Sequence, residues 1–507
     1  MSARPSETER PLQGMRLVVT DLDLQQKEHR GIAVYSKALL KALKASGAET
    51  WLLTDFDPRV SDPGLARIPQ QTRRLIYAAR VMEGLMSGHA GLRSRYLEAK
   101  LRGRNKILAA LWRGWQQLRE LPDQLWPRRQ YKLTQLRRVN LHEQYDSPYF
   151  RQERLSYFED LDGILCARYL YLNASRRALG RKPKALPVEL GQDFDGLITT
   201  CPLNVCAKDK SCFLQTVHDL IPLEYVPHLD HVALFGQRLA SAVPSQKLYV
   251  SAATRRKFEL AFGGTGASGG AVIVQPPSLQ MPQGSRRRLL EQPMIRPSRR
   301  AKARHAELEP FRYLLFNSSV EPRKNLLFAI KAFRLSGLSQ QGVRLCVTGM
   351  LKGDAYSKAV GEQADESVLL TDYIDENTKA NLFLHALAVL SPSLVEGFGI
   401  PVLDGACVGA PVLASPSGSH QEIQAMHDFD QLVWLCDTQD PMDWALAMND
   451  LAHAELERIK DVPNERQRRL ARYDRMSEVV NEAFRQTVCD QVLKSLRSET
   501  AGDGAHG

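Results

Sequence analysis

Two carboxylates flank a glycine-rich turn in the segment 391–415, SPSLVEGFGIPVLDGACVGAPVLAS. Glu396 precedes the turn, and Asp404 follows about two helical turns later. The apolar run before Glu396 predicts a strand, and Pro401 suits the first position of a helix that runs to about Gly409. The start of a helix attracts phosphate or hydroxyl oxygens, and paired acids accept hydrogen bonds from vicinal hydroxyls. This pattern predicts a site for a sugar and a phosphate. The alternative is a capped helix with two solvated acids.

Two adjacent cations, Arg323 and Lys324, stand at a second junction between a strand and a helix, in FNSSVEPRKNLLFAIKAF. The helix is predicted to begin near Asn325. Two cations beside a helix N-terminus can neutralise a diphosphate, so the segment favours a diphosphate ligand. A solvated basic turn is the alternative.

Two further segments follow predicted strands in the first half of the chain. Gly31, in HRGIAVYSKAL, opens a helix and lets a ligand approach the backbone. The segment lacks the GxGxxG pattern, so it does not favour a nicotinamide dinucleotide. His218 and Asp219 end a strand in QTVHDLIPLEYVP, where a structural His–Asp pair is the alternative to a functional one.

The elements that must position these residues alternate between strands and helices. In the first half the predicted strands are MRLVVTDL, ETWLLTD, FDGLITT, SCFLQTV, QKLYV and GAVIVQ, and in the second half they are RYLLFNS, VRLCVTG, SVLLTDYI, LAVLSPS, PVLAS and QLVWL. This alternation predicts two α/β domains with parallel sheets covered on both faces. Such sheets bind ligands at the carboxyl ends of their strands, which is where the four segments lie.

The predicted organisation has five parts. They are a flexible start at 1–14, an N-terminal domain at 15–280, a linker rich in Pro, Gln and Arg at 281–310, a C-terminal domain at 311–460, and helices with a disordered tail at 461–507. The chain is 43% hydrophobic and 25% charged, as in globular proteins. The start lacks the apolar core of a signal peptide, and no apolar run is long enough to span a membrane.

A basic insertion is predicted at about 59–140. The chain carries a net charge of +11, and this insertion holds about 18 Lys and Arg residues against 5 Asp and Glu residues. Its apolar residues recur at helical spacing, which predicts basic amphipathic helices. Three readings stay open: contact with anionic lipid headgroups, a solvated helical face, or nucleic-acid binding. The last draws on Trp112, Trp115, Trp126 and Tyr131, which lie among the cations.

The sequence shows no pattern typical of a metal site. None of the eight cysteines forms a CxxC pair, so reduced thiols in the cytoplasm are expected. The DLD segment from Asp21 to Asp23 has the form of a metal-binding DxD motif, but it follows the first strand beside Gly31 and is interpreted as a loop feature.

These segments together resemble the family 4 glycosyltransferases, which have the two-domain GT-B fold. EGFGIPVLD resembles the paired-acid motif of that family, EPRKN its phosphate-binding segment and RGIAVYS its N-terminal glycine loop. HDLIPL occurs in bacterial members, notably those similar to mannosyltransferases. The resemblance covers about 15–55 and 196–444 and leaves out the basic insertion.

The resemblance implies a role for each matching residue. Arg323 and Lys324 bind the donor diphosphate, and Gly31 passes close to the phosphates. Glu396 holds the donor sugar together with the backbone of Phe398, Gly399 and Ile400, and His218 approaches the sugar from the other domain. The second acid binds the ribose, although this chain has Asp404 where the family pattern has the longer Glu. The C-terminal helices are implied to pack back on the N-terminal domain.

The implied activity is transfer of a hexose from a nucleotide-diphosphate sugar to a glycan or lipid-linked hydroxyl, with retention at the anomeric carbon and without a metal or other cofactor. HDLIPL favours mannose as the sugar, and the setting is polysaccharide or cell-surface glycan synthesis at the inner face of the membrane. Two rival readings are a GT-B-like phosphorylase or epimerase, and a non-catalytic protein whose basic helices bind nucleic acid.

Overall fold

The computed structural model describes residues 10–25, 31–58, 67–87, 128–141, 153–208, 212–225, 231–263, 269–292, 294–296 and 307–500. Within these ranges the strands are β1 (Arg16–Thr20), β2 (Glu49–Thr54), β3 (Tyr131–Lys132), β4 (Arg137–Asn140), β5 (Gly163–Cys166), β6 (Leu186–Glu189), β7 (Gly196–Thr199), β8 (Val205–Ala207), β9 (Cys212–Val217), β10 (Gln246–Tyr249), β11 (Gly270–Val272), β12 (Tyr313–Asn317), β13 (Arg344–Thr348), β14 (Val368–Leu370), β15 (Ala388–Ser391), β16 (Val412–Ala414) and β17 (Val433–Leu435).

The α-helices of the described residues are α1 (Ile32–Ala45), α2 (Gln70–Ser87), α3 (Leu170–Ala178), α4 (Ile221–Glu224), α5 (Val232–Ala242), α6 (Ala252–Phe262), α7 (Gln283–Glu291), α8 (Leu326–Ser336), α9 (Ala355–Gly361), α10 (Glu376–Leu384), α11 (Ile400–Val408), α12 (Gly418–Gln424), α13 (Pro441–Arg458) and α14 (Val462–Thr500). Short 3₁₀ turns lie between them, including Pro322–Lys324 just before α8.

The N-terminal domain is built on an eight-stranded sheet in the order β11-β10-β9-β7-β1-β2-β5-β4. Every neighbouring pair in this sheet is parallel except β4 with β5, which is antiparallel. The strands β1 and β7 are buried nearly throughout, as expected for a sheet with helices on both faces. The carboxyl ends of β1 and β9 therefore lie on one edge, and they lead to the Gly31 and His218 segments.

The C-terminal domain is built on a six-stranded parallel sheet in the order β14-β13-β12-β15-β16-β17. The central strands β12 and β15 are neighbours, and they carry the segments after Asn317 and after Ser391. Because parallel neighbours end on the same edge, this register brings the two cations and Glu396 together. The predicted fold class, a GT-B arrangement of two Rossmann-like domains, is confirmed.

The basic insertion is helical only in part. Helix α2 lies within the predicted insertion, and its Val81, Met82 and Leu85 are buried in the core of the N-terminal domain, whereas the periodic apolar residues that predicted the helices, from Leu101 to Trp115, lie outside the described residues. The prediction is wrong at the end of the insertion, where β3 joins a small sheet with β6 and β8 and β4 forms the edge of the large sheet. Trp112, Trp115 and Trp126 lie outside the described residues, and Tyr131 is buried in β3.

The last helix, α14, connects the two domains along its length. At its start the buried Arg469 donates to the carbonyl oxygen of Ala386, just before β15. Near its end Arg485 and Cys489 bond to Ser46, which follows α1 in the N-terminal domain. No helix in the described part of the chain is both long and apolar enough to cross a bilayer.

Candidate functional site

The turn after β15 depends on Gly399, a position that a residue with a side chain would occupy only with strain. Gly399 caps α11 with φ = 108°, a left-handed backbone that favours glycine, and Pro401 occupies the first turn. A Cβ on Gly399 would lie 2.6 Å from Cδ2 of the buried His420 ring. Phe398 beside it is buried in the core. The first amides of α11, from Gly399 and Ile400, are thereby held at the carboxyl edge of the sheet.

The two predicted cations meet Glu396 in one buried cluster. Lys324 Nζ pairs with Glu396 Oε1, and Arg323 Nη1 lies 3.7 Å from Glu396 Oε2. All three side chains are largely buried, with Glu396 8% exposed. The backbone ties the same loops together, because Leu394 donates its N–H to the carbonyl oxygen of Arg323 at 2.8 Å. The structure thus joins the motifs from β12 and β15 into one site.

Glu396 stays ionised in this cluster. Burial alone would raise its pKa, but the charges of Lys324 and Arg323 outweigh burial and lower the pKa of Glu396 to about 2. A carboxylate held between cations is available as a fixed hydrogen-bond acceptor. It is poorly suited to give up a proton near neutral pH.

A second acid–base pair extends the cluster, and the motif analysis missed it. Glu321 accepts from Arg323 Nε at 3.1 Å and pairs with Lys352 Nζ at 2.9 Å. Burial favours its neutral form, but Lys352 and Arg323 together lower the pKa of Glu321. Lys352 follows β13, the strand next to β12. Cations from two neighbouring strand ends therefore face the same edge.

His218 belongs to the N-terminal domain and lies across the domain boundary from the Glu396 turn. Its Nε2 is 2.7 Å from the carbonyl oxygen of Thr200, so Nε2 carries the proton and donates. Its ring packs edge-on against Tyr35 with centroids 4.9 Å apart. Burial lowers the pKa of His218 to about 4, which is partly offset by the bond to Thr200. The imidazole is therefore neutral at physiological pH.

The depressed pKa of His218 predicts a stability change with pH. The folded value of about 4 lies below the ordinary value of 6.5, so the stabilisation from a neutral His218 is present above pH 6.5 and is lost as pH falls toward 4. We expect this loss to be about 3 kcal/mol. Unfolding at pH 7 and pH 4 should therefore show a smaller acid-induced loss in His218→Gln than in the parent. Equal losses in the two proteins would contradict a buried neutral imidazole.

Gly31 begins α1 on the same side of the N-terminal domain as His218. Its φ is 48°, and Tyr35, one turn later, donates its N–H to the carbonyl oxygen of Gly31. A Cβ on Gly31 would meet no heavy atom within 4 Å. A ligand can therefore approach this backbone without displacing the atoms described around it.

The acids of the DLD segment are buried, and each accepts a hydrogen bond from a hydroxyl group of the N-terminal domain. Asp21 is fully buried and accepts from the hydroxyl of Tyr171 at 2.8 Å, and Asp23 accepts from the hydroxyl of Thr200 at 2.7 Å. Burial raises the pKa of both acids. Among the described residues, no group of three or more His, Cys, Asp or Glu side chains is arranged to hold a metal ion.

The structure does not bring Asp404 into the cluster. Asp404 is fully buried within α11, where Oδ1 accepts from Ser278 N at 2.7 Å and Oδ2 pairs with the Ser278 hydroxyl. Burial raises the pKa of Asp404 to about 6, against the bonds from Ser278 and the charge of Lys379. Binding of a ribose by Asp404 stays a prediction, and it would require these bonds to be exchanged. In this structure Asp404 fixes the segment after β11 to the C-terminal domain.

The two roles of Asp404 predict different results for Asp404→Ala. The structure leads us to expect a loss of stability of about 2–4 kcal/mol, because Ser278 N–H and hydroxyl lose a buried charged acceptor. Nucleotide affinity should stay within about twofold of the parent. Chemical unfolding and nucleotide titration of the variant measure both, with Ser278→Ala as the milder control. A stable variant with weakened nucleotide binding would instead support the ribose contact.

A histidine in the segment after β16 also borders the turn, and sequence reasoning missed it. His420 Nδ1 lies 2.8 Å from the carbonyl oxygen of Ser415, so the proton sits on Nδ1 in the neutral ring. Its Nε2 is buried beside Gly399 and has no hydrogen-bond partner among the described residues. Polar residues after a parallel strand were the available signal, since SPSGSHQEI follows PVLAS.

A cavity of about 1150 Å³ adjoins the same edge of the C-terminal sheet. It lies between the linker helix α7 and the loops that follow β13 and β14, and its lining includes Arg288, Met350, Asp372, Tyr373 and Ile374. Met350 lies two residues before Lys352, the partner of Glu321. The cavity is large enough for a compound of nucleoside size, and its lining contains none of the charged side chains of the cluster.

The two domains touch directly beside Glu396. A Cβ on Gly397 would lie 2.4 Å from the carbonyl oxygen of His218, so the two backbones are in close contact. The carboxyl ends of β9 and β15 therefore face each other across the domain boundary. Side chains from both domains can reach a ligand held at this edge.

One family model matches the chain. Residues 298–475 match the model described as glycosyl transferases group 1, a span that contains the cluster of Arg323, Lys324 and Glu396. This match supports the assignment of the chain to a glycosyltransferase family, and it shows that the protein is a transferase. Among curated proteins, no relative matches the chain.

Solved structures similar to the chain include a sucrose-phosphate synthase and two glycosyltransferases. Sucrose-phosphate synthase from Thermosynechococcus elongatus is 14% identical with a TM-score of 0.48, and the similarity covers 93% of this chain and 98% of that one. AviGT4, a glycosyltransferase involved in avilamycin A biosynthesis, is 13% identical with a TM-score of 0.40, and the similarity covers 92% of this chain and 98% of that one. A glycosyltransferase from Rickettsia africae ESF-5 is 11% identical with a TM-score of 0.43, and the similarity covers 96% of this chain and 97% of that one. At these identities and TM-scores below 0.5, the similarity adds no functional assignment.

Proposed function

We propose that the protein transfers a sugar, with retention at the anomeric carbon, from a nucleoside-diphosphate sugar to a hydroxyl of a glycan or lipid-linked acceptor. The observation that carries this proposal is the buried cluster of Arg323, Lys324 and Glu396 at the start of α8 and α11. Cations and helix amides on one edge suit a diphosphate, and the fixed carboxylate of Glu396 suits sugar hydroxyls. The group 1 glycosyl transferase match supports the same activity.

The diphosphate is the leaving group, and the cluster stabilises the charge that develops on it. Arg323 and Lys324 supply the countercharge, and the amides of Gly399 and Ile400 supply preorganised donors. In the structure described above, both cations contact Glu396, so the diphosphate shares them with this carboxylate. This chemistry needs no metal, and we propose that activity is unaffected by EDTA.

Attack on the same face as the leaving group fits this site better than a covalent carboxylate intermediate. Glu396 lies beside both cations, with Lys324 paired to its Oε1 and Arg323 3.7 Å from its Oε2. A carboxylate held in this way is a weak nucleophile. The neutral His218 and the fixed Glu396 would hold the sugar while the departing phosphate accepts the proton of the acceptor hydroxyl.

The cavity beside Met350 and Tyr373 is proposed to receive the nucleoside. Its lining includes Met350, two residues before Lys352, and it is bounded on one side by the linker helix, so a nucleoside would contact both the C-terminal domain and the linker. Mannose is the proposed sugar, on the HDLIPL segment. The acceptor is proposed to lie at the inner membrane surface, where the basic insertion would contact anionic lipid.

A donor panel tests the proposed function. UDP-, GDP- and ADP-sugars are incubated with the protein, with and without EDTA, and release of the nucleoside diphosphate is measured. NMR of the product then reports the anomeric configuration. We expect turnover with one class of donor, retention of configuration and no effect of EDTA. Absence of turnover with every donor, together with no thermal stabilisation by any nucleoside diphosphate, would overturn the proposal.

The rival readings make different predictions in the same panel. A phosphorylase would release sugar phosphate when inorganic phosphate is added, and an epimerase would change the donor without an acceptor. A nucleic-acid-binding protein would shift labelled nucleic acid and leave the donors intact. Co-sedimentation with anionic and neutral liposomes separates membrane contact from nucleic-acid binding.

A further inference from the structure

An acid of the C-terminal domain caps a helix of the N-terminal domain. Glu422, in α12, accepts hydrogen bonds from Ala252 N and Ala253 N at 2.6 Å each. These are the first two amides of α6, which otherwise lack partners within their own helix. Arg256 Nη2 lies 3.7 Å from the same carboxylate. A carboxylate at a helix N-terminus is favoured by the helix dipole and by charge-assisted hydrogen bonds.

The residue before the same helix bonds to the turn that carries Glu396. Ser251 Oγ donates to the carbonyl oxygen of Gly397 at 2.8 Å, and Thr254 Oγ1 lies 3.3 Å from the same oxygen. Thr254 Oγ1 is also 3.2 Å from the carbonyl oxygen of His218. One helix start therefore contacts both the Gly397 turn and the His218 segment.

The residues around these hydrogen bonds are tightly packed. A Cβ on Gly418, at the start of α12, would lie 2.9 Å from Cβ of Ala253. On the other side, Gly397 and the carbonyl oxygen of His218 are already in close contact. The first turn of α6 thus fits between α12 and the turn before α11. A displacement of one domain would break the Glu422 and Gly397 bonds together.

We propose that Glu422 is a positioning residue that holds the two domains closed and thereby fixes the Glu396–Gly397 turn against the N-terminal domain. The contact of Glu422 with the start of α6, together with the bonds from Ser251 and Thr254 to Gly397, is named here the interdomain latch. The latch closes through residues of this chain alone. Its consequence for turnover rests on the proposed function, but its effect on domain closure does not.

The latch has a defined place in the reaction cycle. A donor entering between the domains has to separate α12 from α6, and a product leaving has to do the same. Closure then restores the bond to Gly397 and returns the Glu396 turn to its place. Turnover therefore requires that the latch both opens and closes.

Removing the acid tests whether it holds the domains. Glu422→Ala and Glu422→Gln are compared with Glu259→Ala, which removes an exposed partner of Arg255 in the last part of the same helix. Small-angle scattering of the full chain without ligand measures domain separation. We expect Glu422→Ala to increase the radius of gyration, to shift the closed-to-open ratio by about tenfold or more, and to lower kcat similarly. Glu422→Gln should be intermediate, and Glu259→Ala should match the parent.

A reversible cross-link tests whether the latch has to open. Gly418 and Ala253 face each other, so Ala253→Cys combined with Gly418→Cys brings two thiols within disulfide reach after a small shift. We expect the oxidised double variant to keep a compact scattering profile and to lose turnover, and the reductant to restore it. Ala253→Cys alone, treated in the same way, is the matched control.

The outcomes separate the latch from the proposed function. Scattering of Glu422→Ala that equals that of the parent would overturn the latch, whatever the activity. Full turnover by the oxidised double variant would overturn the requirement for opening. If the parent turns over no donor but Glu422→Ala still opens the domains, the latch stands and the proposed function fails.

Discussion

Lys324→Ala is expected to lower turnover by at least about 100-fold, because it removes a cation that stabilises the leaving diphosphate. It should also lower the free energy of unfolding by about 3–5 kcal/mol, since Glu396 is left as a buried charge whose remaining ion-pair partner among the described residues is Arg323 at 3.7 Å. Initial rates with the donor found in the panel and chemical unfolding measure the two effects. Both are needed, because a misfolded variant would also be inactive.

A double variant separates the two effects. Lys324→Met combined with Glu396→Leu replaces the buried ion pair by apolar side chains of similar size, which is often neutral or stabilising. We expect it to unfold near the parent midpoint and to remain inactive. Parent-like turnover in this folded double variant would remove Lys324 and Glu396 from the mechanism.

Gly399→Ala is expected to disrupt the turn more than any conservative change in the site. Alanine disfavours φ = 108°, and its Cβ would lie 2.6 Å from the buried His420 ring, which has little room to move. We expect a loss of at least about 3 kcal/mol in stability and about 100-fold in turnover, since the amides of α11 are displaced. Thermal unfolding and initial rates check both.

Gly337→Ala is the matched control for this change. Gly337 ends α8 with φ = 68°, also in the left-handed region, but a Cβ there would meet no heavy atom within 4 Å. Only the backbone preference is lost, so we expect a cost of about 1 kcal/mol and unchanged turnover. If the two alanine variants behave alike, contact with His420 is not what requires glycine at 399.

Most of the parallel strands could be predicted from the sequence because each is a short apolar run that ends in a turn. All six strands of the C-terminal sheet were predicted in this way, whereas their order in the sheet is known only from the structure. The predicted helices after Gly31, Arg323 and Phe398 begin within one or two residues of the observed starts. The local signals of glycine, proline and periodicity were sufficient there.

Apart from β7, which FDGLITT predicts, the elements between 131 and 207 were missed because their signals are not local. Strands β3, β6 and β8 are two to four residues long and form a separate small sheet, and β4 carries two arginines at a sheet edge. The sequence analysis placed 137–138 in a basic amphipathic helical insertion. In the structure Arg138 pairs with Asp193, a partner distant in sequence.

The site shows the same division between local and distant information. Arg323, Lys324 and Glu396 could be predicted because each sits beside a turn whose residues mark a helix start. Asp404 has the spacing of a ligand-binding acid, but it faces Ser278 from another part of the chain, which no spacing reveals. Glu422 and Ser251 were missed for the same reason, since their partners lie in the other domain.

Equilibrium titration of UDP and GDP into the parent and into Arg323→Ala tests the central claim most directly. Arg323 contacts Glu321 and Glu396 from a position that is 17% exposed, so it can reach a ligand, and its loss leaves the Lys324–Glu396 pair in place. We expect one nucleoside diphosphate to bind the parent and to bind Arg323→Ala at least about tenfold more weakly, with both proteins equally stable. Equal affinity in the two proteins would contradict a diphosphate site at this cluster.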